Sequence, residues 1–291
     1  MNALQLITDY RDQDHYRTSF FQLAKETFGL QFEEWYEKGY WGDRYKCFSV
    51  VDQNKIVANV SVTELDLVIE GKQYTALQIG TVMTNPQYQG RGLSKQLMNE
   101  VLATYAETID IYYLFANKSV LSFYPKFGFT TVSQSAYSLA TSSIERKPLE
   151  QRQLHIDNVA DRLLIEQTIK NRHMRQTFST KYADDLTLFH CLVNYRQNMY
   201  FIEALQTIVF YRIEGETIVI YDVIHEQPLP LQTVLAAIMP EEVKTISICF
   251  TPDDESKYEK SPFYDEGALF VKCKEGIHYP ANVLYPYTSL A

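Results

Sequence analysis

Two short stretches in the first half of the chain hold residue types whose spacing suits chemistry. The first is Gln87-Tyr88-Gln89-Gly90-Arg91-Gly92, which follows an apolar run ending at Thr84 and precedes a segment with helical patterning. Amides at a helix N-terminus lack intrahelical partners, and the helix dipole adds partial positive charge there. Gly90 and Gly92 have no β-carbon, so the backbone can approach an anion closely. A strand, a glycine turn and a helix in that order can therefore cradle a pyrophosphate. Two other glycine loops fail on spacing: Leu93 stands where a P-loop needs lysine, and Lys95 where a dinucleotide fingerprint needs a third glycine.

The second stretch runs from Asn117 to Phe129 and fits N-x6-Y-x3-G-F. A phenol with a pKa of about 10 can protonate a departing anion if it is held within hydrogen-bond reach, which gives Tyr124 a role as general acid. Beside Phe123 and Phe127 it can equally be a packing aromatic. Asn117 can bind a ligand or merely cap the turn that follows.

In this order and separation the two stretches resemble the acyl-coenzyme A-binding segments of the GNAT superfamily of N-acetyltransferases. The resemblance covers roughly residues 1–140, with the specific motifs in 79–129. It implies transfer of an acetyl group from acetyl-coenzyme A to a primary amine, on a small molecule or a peptide, by direct attack in a ternary complex. It also implies an α+β fold, with a mixed, mostly antiparallel central sheet flanked by helices in three layers. The pantetheine arm would run along Val82, Met83 and Thr84. The pyrophosphate would sit on the amides of Gly90, Arg91, Gly92, Leu93, Ser94 and Lys95. Asn117 matches the residue that bonds the arm, and Tyr124 the acid beside the thiolate. An amide near Met83 could stabilise the tetrahedral oxyanion.

The general base is less legible. Many members of the superfamily place a glutamate on the central strand, but here that strand reads Ala76-Leu77-Gln78-Ile79-Gly80-Thr81, with no carboxylate. Glu64, Asp66, a chain of waters and the carboxylate of Ala291 remain as alternatives, the last because two-domain relatives bring their C-terminus into the acceptor site. A non-catalytic coenzyme A-binding module is the competing function class, since the glycine loop would serve both.

The elements that must position these residues follow from periodicity. Asp14 to Leu30 reads as a helix. Tyr45–Val51, Lys55–Glu64, Leu65–Ile69 and Tyr74–Thr84 read as strands. Leu93, Leu97, Met98, Val101, Leu102 and Tyr105 recur at three- and four-residue steps, which is one buried helix face. A strand over 109–116, a helix over Val120–Phe127 and a strand over Phe129–Ser138 complete the first half.

A polar stretch at 140–153 divides the chain into a cofactor-binding domain, 1–142, and a second α+β domain, 150–291. In the second domain, 158–171, 186–195 and 231–239 read as helices, and 200–213, 216–223 and 243–250 as strands. This order loosely echoes the first half, as a degenerate GNAT-like unit would. Pro252, Pro262, Pro280 and Pro286 suggest a meandering tail. The expected role of this half is to close the acceptor side, with dimerisation as the alternative.

Composition sets the outer bounds. A chain of 291 residues that is 46% hydrophobic has ample apolar content for a packed core. The net charge of −9, without a basic block, argues against nucleic acid and mildly favours a cationic acceptor, such as an aminoglycoside-like polyamine. The four cysteines show no CxxC spacing and the six histidines no HxxxH, so no metal is expected. No run approaches the ~18–20 apolar residues of a membrane span, and the start lacks the pattern of a signal peptide. A cytoplasmic protein with reduced thiols is expected. The 22 Tyr and 16 Phe are an unusual surplus, and Trp35, Tyr36, Tyr40 and Trp41 are placed at the acceptor entrance.

Overall fold

A computed structural model describes residues 4–263 and 267–291. The first half runs β1 (Gln5–Thr8), α1 (Asp14–Phe28), α2 (Glu33–Glu37), β2 (Tyr45–Asp52), β3 (Lys55–Ile69), β4 (Lys72–Thr84), α3 (Leu93–Thr104), β5 (Ile111–Asn117), β6 (Thr130–Val132) and β7 (Ser135–Ala140). The second continues with β8 (Arg152–Gln153), α4 (Val159–Lys170), β9 (Phe178–Lys181), α5 (Asp184–Val193), β10 (Met199–Ile202), β11 (Thr207–Glu214), β12 (Thr217–His225), α6 (Leu231–Ile238), β13 (Thr245–Ile248), β14 (Glu259–Pro262) and β15 (Gly267–Cys273). Among the described residues, no helix is long and apolar enough to cross a membrane.

Gln53 and Asn54 both have positive φ, 48° and 62°, and they close β2 onto β3 with Asp52 facing Lys55. Two consecutive left-handed residues match the twist of an antiparallel hairpin. The residues expected to form two strands, Lys55–Glu64 and Leu65–Ile69, form the single strand β3. The sequence suggests a break because the buried apolar face changes midway. Val60 and Val62 pack under α3, whereas Leu65, Leu67 and Ile69, of opposite parity, pack against Phe178, Val283 and Tyr285. A strand covered on different faces along its length loses simple alternation.

α3 lays Leu93, Leu97, Met98 and Val101 against the sheet, the face its spacing predicts. Burying each such side chain stabilises the fold by ~1.5–3 kcal/mol, so this face fixes the helix and its N-terminus. The first sheet has eight strands, in the order β1-β2-β3-β4-β5-β15-β6, with β9 paired to β3. Its neighbours are antiparallel except β4 and β5. The second sheet runs β14-β7-β13-β12-β11-β10-β8, with β12 and β13 parallel. This is the mixed, mostly antiparallel α+β architecture expected, with a second sheet-containing unit.

The two sheets exchange strands. β15, from the last thirty residues, pairs with β5 on one side and β6 on the other. The segment read as one strand, Phe129–Ser138, is two, with β6 in the first sheet and β7 in the second. The stretch expected as a meandering tail also contributes strands. Pro262 ends β14 at a sheet edge, where the missing amide costs no ladder bond.

Candidate active site

β4 and β5 pair only at Ala76–Ile111, Leu77–Tyr112 and Gln78–Tyr113, and then diverge. The cause lies on the other side of β4. Its register with β3 steps from Gly80–Ser61 to Met83–Asn59, so β4 carries one extra residue there. Thr81 takes φ 48° within this bulge. Buried Asn59 holds it, donating from Nδ2 to the Thr81 carbonyl at 3.0 Å, while the Tyr45 hydroxyl lies 3.0 Å from Thr81 Oγ1. A bulge bends its strand and interrupts pairing. The end of β4 is thereby left without β5 beside it, and a cavity of about 960 Å³ opens between them.

One end of the cavity reaches the start of α3. Gly90 and Gly92 adopt φ 76° and 77°, and a Cβ on either would meet no atom within 4 Å. Glycine is needed here for the left-handed backbone, and the space in front of it is open. Gly92 occupies the N-cap with no side-chain bond, so the first-turn amides of α3 lack a protein partner. Ser94 Oγ bonds Thr84 Oγ1 at 2.8 Å and ties this turn to the end of β4. An open, positively polarised helix start beside a free strand edge is a fitting cradle for a pyrophosphate and its extended arm.

Tyr124 lies along the same cavity. The helix expected over Val120–Phe127 is instead a pair of 3-10 turns, Lys118–Val120 and Tyr124–Phe127, the second with Pro125 in its first turn. The Tyr124 ring is clamped by Phe123, Phe129 and Phe270, with centroids at 5.2, 6.3 and 5.5 Å. Its hydroxyl has no hydrogen-bond partner among the described residues, and burial pushes the phenol up to about 12. Asn117 makes no cap bond, which removes its capping alternative, and it too lines the cavity.

The other end is built by both halves of the chain. Phe28, Leu30, Phe32, Trp35 and Tyr45 come from the first half, and Leu186, Phe189, His190 and Asn194 from α5 and its end. Leu290 and Ala291 enter between them. A Cβ on Gly80 would lie 3.1 Å from both the carbonyl carbon and the Cβ of Ala291. Gln78, oriented as its neighbours require, accepts from the Ala291 amide at 2.7 Å and donates to the Ser289 carbonyl at 3.0 Å. His190 Nε2 lies 2.7 Å from the Leu290 carbonyl, and Nδ1 2.7 Å from the Asn194 amide nitrogen. Burial pushes His190 down to about 4, against a partly offsetting bond to Leu290, so the ring is neutral, donating from Nε2 and accepting at Nδ1. Farther back, fully buried Asp222 accepts from Arg172 at 2.7 Å, Arg175 at 2.9 Å and Thr288 at 2.5 Å, which anchors the segment leading to Ala291.

A family model described as an acetyltransferase (GNAT) domain matches residues 11–132. Residues 11–132 are thus similar to a GNAT domain. No curated protein matches the sequence. Among solved structures, a conserved protein of unknown function from Enterococcus faecalis V583 superposes with a TM-score of 0.64 at 14% identity, over 94% of this chain and 72% of its own. A GCN5-related N-acetyltransferase from Kribbella flavida gives 0.61 at 16% identity, covering 93% and 71%. Eis1 from Mycobacterium abscessus gives 0.57 at 15%, covering 92% and 73%. At such identities the likeness is one of fold, and it extends over both sheets.

The region of this match brings most of the expected residues to one cavity. Val82, Met83, Thr84, Gly90, Gly92, Leu93, Ser94, Lys95, Asn117 and Tyr124 all line it. Arg91 does not: its guanidinium folds back over the Tyr88 ring at 4.7 Å and donates to the Gln87 carbonyl at 3.0 Å. Glu64 and Asp66 lie outside. Glu64 holds Lys46 at 2.6 Å and Tyr105 at 2.7 Å, and Asp66 accepts from Gln73. Of the aromatics placed at the acceptor entrance, Trp35 lines the cavity and the others pack behind it. Trp41 stacks on Trp35 at 5.7 Å, Tyr40 bonds Glu166, and Tyr36 carries Arg17 on its ring. His190 and Asn194 escaped sequence reasoning; their four-residue spacing, at the last turn of α5 and its cap, was the available signal.

Proposed function

We propose that the chain transfers an acetyl group from acetyl-coenzyme A to a primary amine by direct attack in a ternary complex. The observation that carries this reading is the unpaired end of β4, which runs into an uncapped helix start at one end and towards Ala291 at the other. The nitrogen lone pair attacks the thioester carbonyl carbon, the tetrahedral oxyanion collapses, and the carbon–sulfur bond breaks as the amide forms. In this reading Val82, Met83 and Thr84 present backbone groups to the pantetheine arm, and Asn117 bonds it from the facing strand. Gly90, Gly92, Leu93, Ser94 and Lys95 receive the pyrophosphate, with Arg91 contributing its amide alone. The Tyr124 hydroxyl, free of other partners among the described residues, serves the departing sulfur. Direct attack suits a cavity with no cysteine among its described lining residues.

No Asp or Glu side chain lines the cavity among the described residues. Unpaired thiols at Cys47, Cys191, Cys249 and Cys273 suit a reducing compartment such as the cytoplasm. The test is amine-dependent thiol release from acetyl-coenzyme A, with the N-acetylated product weighed by mass spectrometry. Tight acetyl-coenzyme A binding with no release across apolar, polycationic and peptide amines would leave a coenzyme A-binding module instead.

A further inference from the structure

The acceptor end of the cavity has a consistent chemistry. Its walls are Phe28, Leu30, Phe32, Trp35, Leu186 and Phe189. Most of the polar groups that could interrupt them are already engaged, Asn194 through its Nδ2. Trp35 Nε1 donates to the Asp185 carbonyl at 2.8 Å, and the Tyr45 hydroxyl meets Thr81. Both nitrogens of His190 are bonded, to Leu290 and Asn194. Among the described residues, the one fully charged side chain on the cavity wall is Lys95, at the α3 end.

We propose that the acceptor is a monoamine carried on an apolar or aromatic body, and not a polyamine. This rests on the acetyl-transfer reading above. One ammonium loses its charge as it becomes an amide. A second ammonium would have to leave water among aromatic and aliphatic side chains with no carboxylate to meet it. Burying an unpaired charge is far costlier than burying a methyl group, which gains from the same surface. Cation–π attraction to a ring offsets only part of that cost. The net charge of −9 can draw cations towards the surface, but it does not reach this wall as a side chain.

Hexylamine and cadaverine test this directly, because they have equal length and differ at the far end by a methyl against an ammonium. Thiol release at saturating acetyl-coenzyme A should give a kcat/KM for hexylamine at least about tenfold above that for cadaverine. Phe28, exposed at the end of α1, tolerates substitution, and Phe28→Asp should shrink that ratio by about fivefold or more by supplying the missing carboxylate. Equal rates, or a preference for cadaverine, would overturn the monoamine class while leaving acetyl transfer standing. If neither amine releases thiol, the wider amine panel decides acetyl transfer, and tryptophan fluorescence still decides the pocket. With coenzyme A bound, hexylamine should perturb Trp35 at concentrations at least about tenfold below those needed for cadaverine. The reverse order overturns the proposal.

Discussion

Replacing Tyr124 with phenylalanine removes one oxygen and leaves its surroundings nearly intact. The ring keeps its contacts with Phe123, Phe129 and Phe270, and the hydroxyl it loses bonds nothing among the described residues. Stability should therefore change by no more than ~0.5 kcal/mol. Catalysis should change more. Burial holds the phenol up at about 12, whereas an aliphatic thiol titrates near ~8.5. Outright proton transfer to the thiolate is then uphill by about 5 kcal/mol, at ~1.36 kcal/mol per pKa unit. The Tyr124 hydroxyl accordingly acts first as a hydrogen-bond donor to charge growing on sulfur, and releases its proton late. A hydrogen bond to a charged group contributes ~1.5–3 kcal/mol, which corresponds to a fall in kcat of roughly 10- to 150-fold. Thiol release with hexylamine as acceptor, alongside calorimetric acetyl-coenzyme A titration and a thermal melt, separates these terms. Loss of kcat with affinity and melting temperature preserved is the expected result. A fall of less than about threefold refutes the role of Tyr124, as does a fall explained by a large loss of stability.

Gly92→Ala forces a left-handed backbone on alanine at ~1–2 kcal/mol and puts a methyl group before the α3 amides; acetyl-coenzyme A affinity should drop about tenfold, and unchanged calorimetric affinity would remove the cradle. Between about 4, where burial holds His190, and its unfolded value near ~6.5, the unfolded chain binds a proton that the folded one does not. Stability should thus rise with pH across that window, by up to ~3 kcal/mol, and His190→Gln should flatten this part of the melting-temperature profile. Burial alone would raise the Asp222 pKa, but Arg172 and Arg175 bring it down to about 2. Asp222→Asn strands two buried guanidinium groups and should cost ~3–5 kcal/mol by denaturant titration. A fragment of residues 1–145 lacks β15, so β5 and β6 lose their shared partner. It should aggregate, and a soluble, coenzyme A-binding fragment would contradict that role for β15.

Local chemistry was readable where it depends on local sequence. The face of α3 appears as a run of spacings, and Gly90 and Gly92 as a pair before it, because helix pattern and φ preference belong to neighbouring residues. β3 was read as two strands because its partners cover opposite faces along its length, and those partners lie in separate parts of the chain. The clamp on Tyr124 was half visible: Phe123 and Phe129 are neighbours, whereas Phe270 arrives on β15.

By itself the sequence determined the α3 end of the cavity: the strand, the glycine turn, the helix, and the tyrosine at a fixed distance beyond them. These sit within about fifty residues, and their order alone restricts how they can fold together. Tertiary structure decided the other end. Phe28 and Trp35 line one cavity with Phe189 and Ala291 because β15 and β9 tie the second half into the first sheet, and Asp222 fixes the last turn through Thr288. Contacts between residues so far apart depend on packing and strand pairing, which no spacing in the chain encodes. The same packing left Trp35 on the cavity wall while Tyr36, Tyr40 and Trp41 went behind it, and among the described residues it kept Asp and Glu side chains off that wall in an acidic protein.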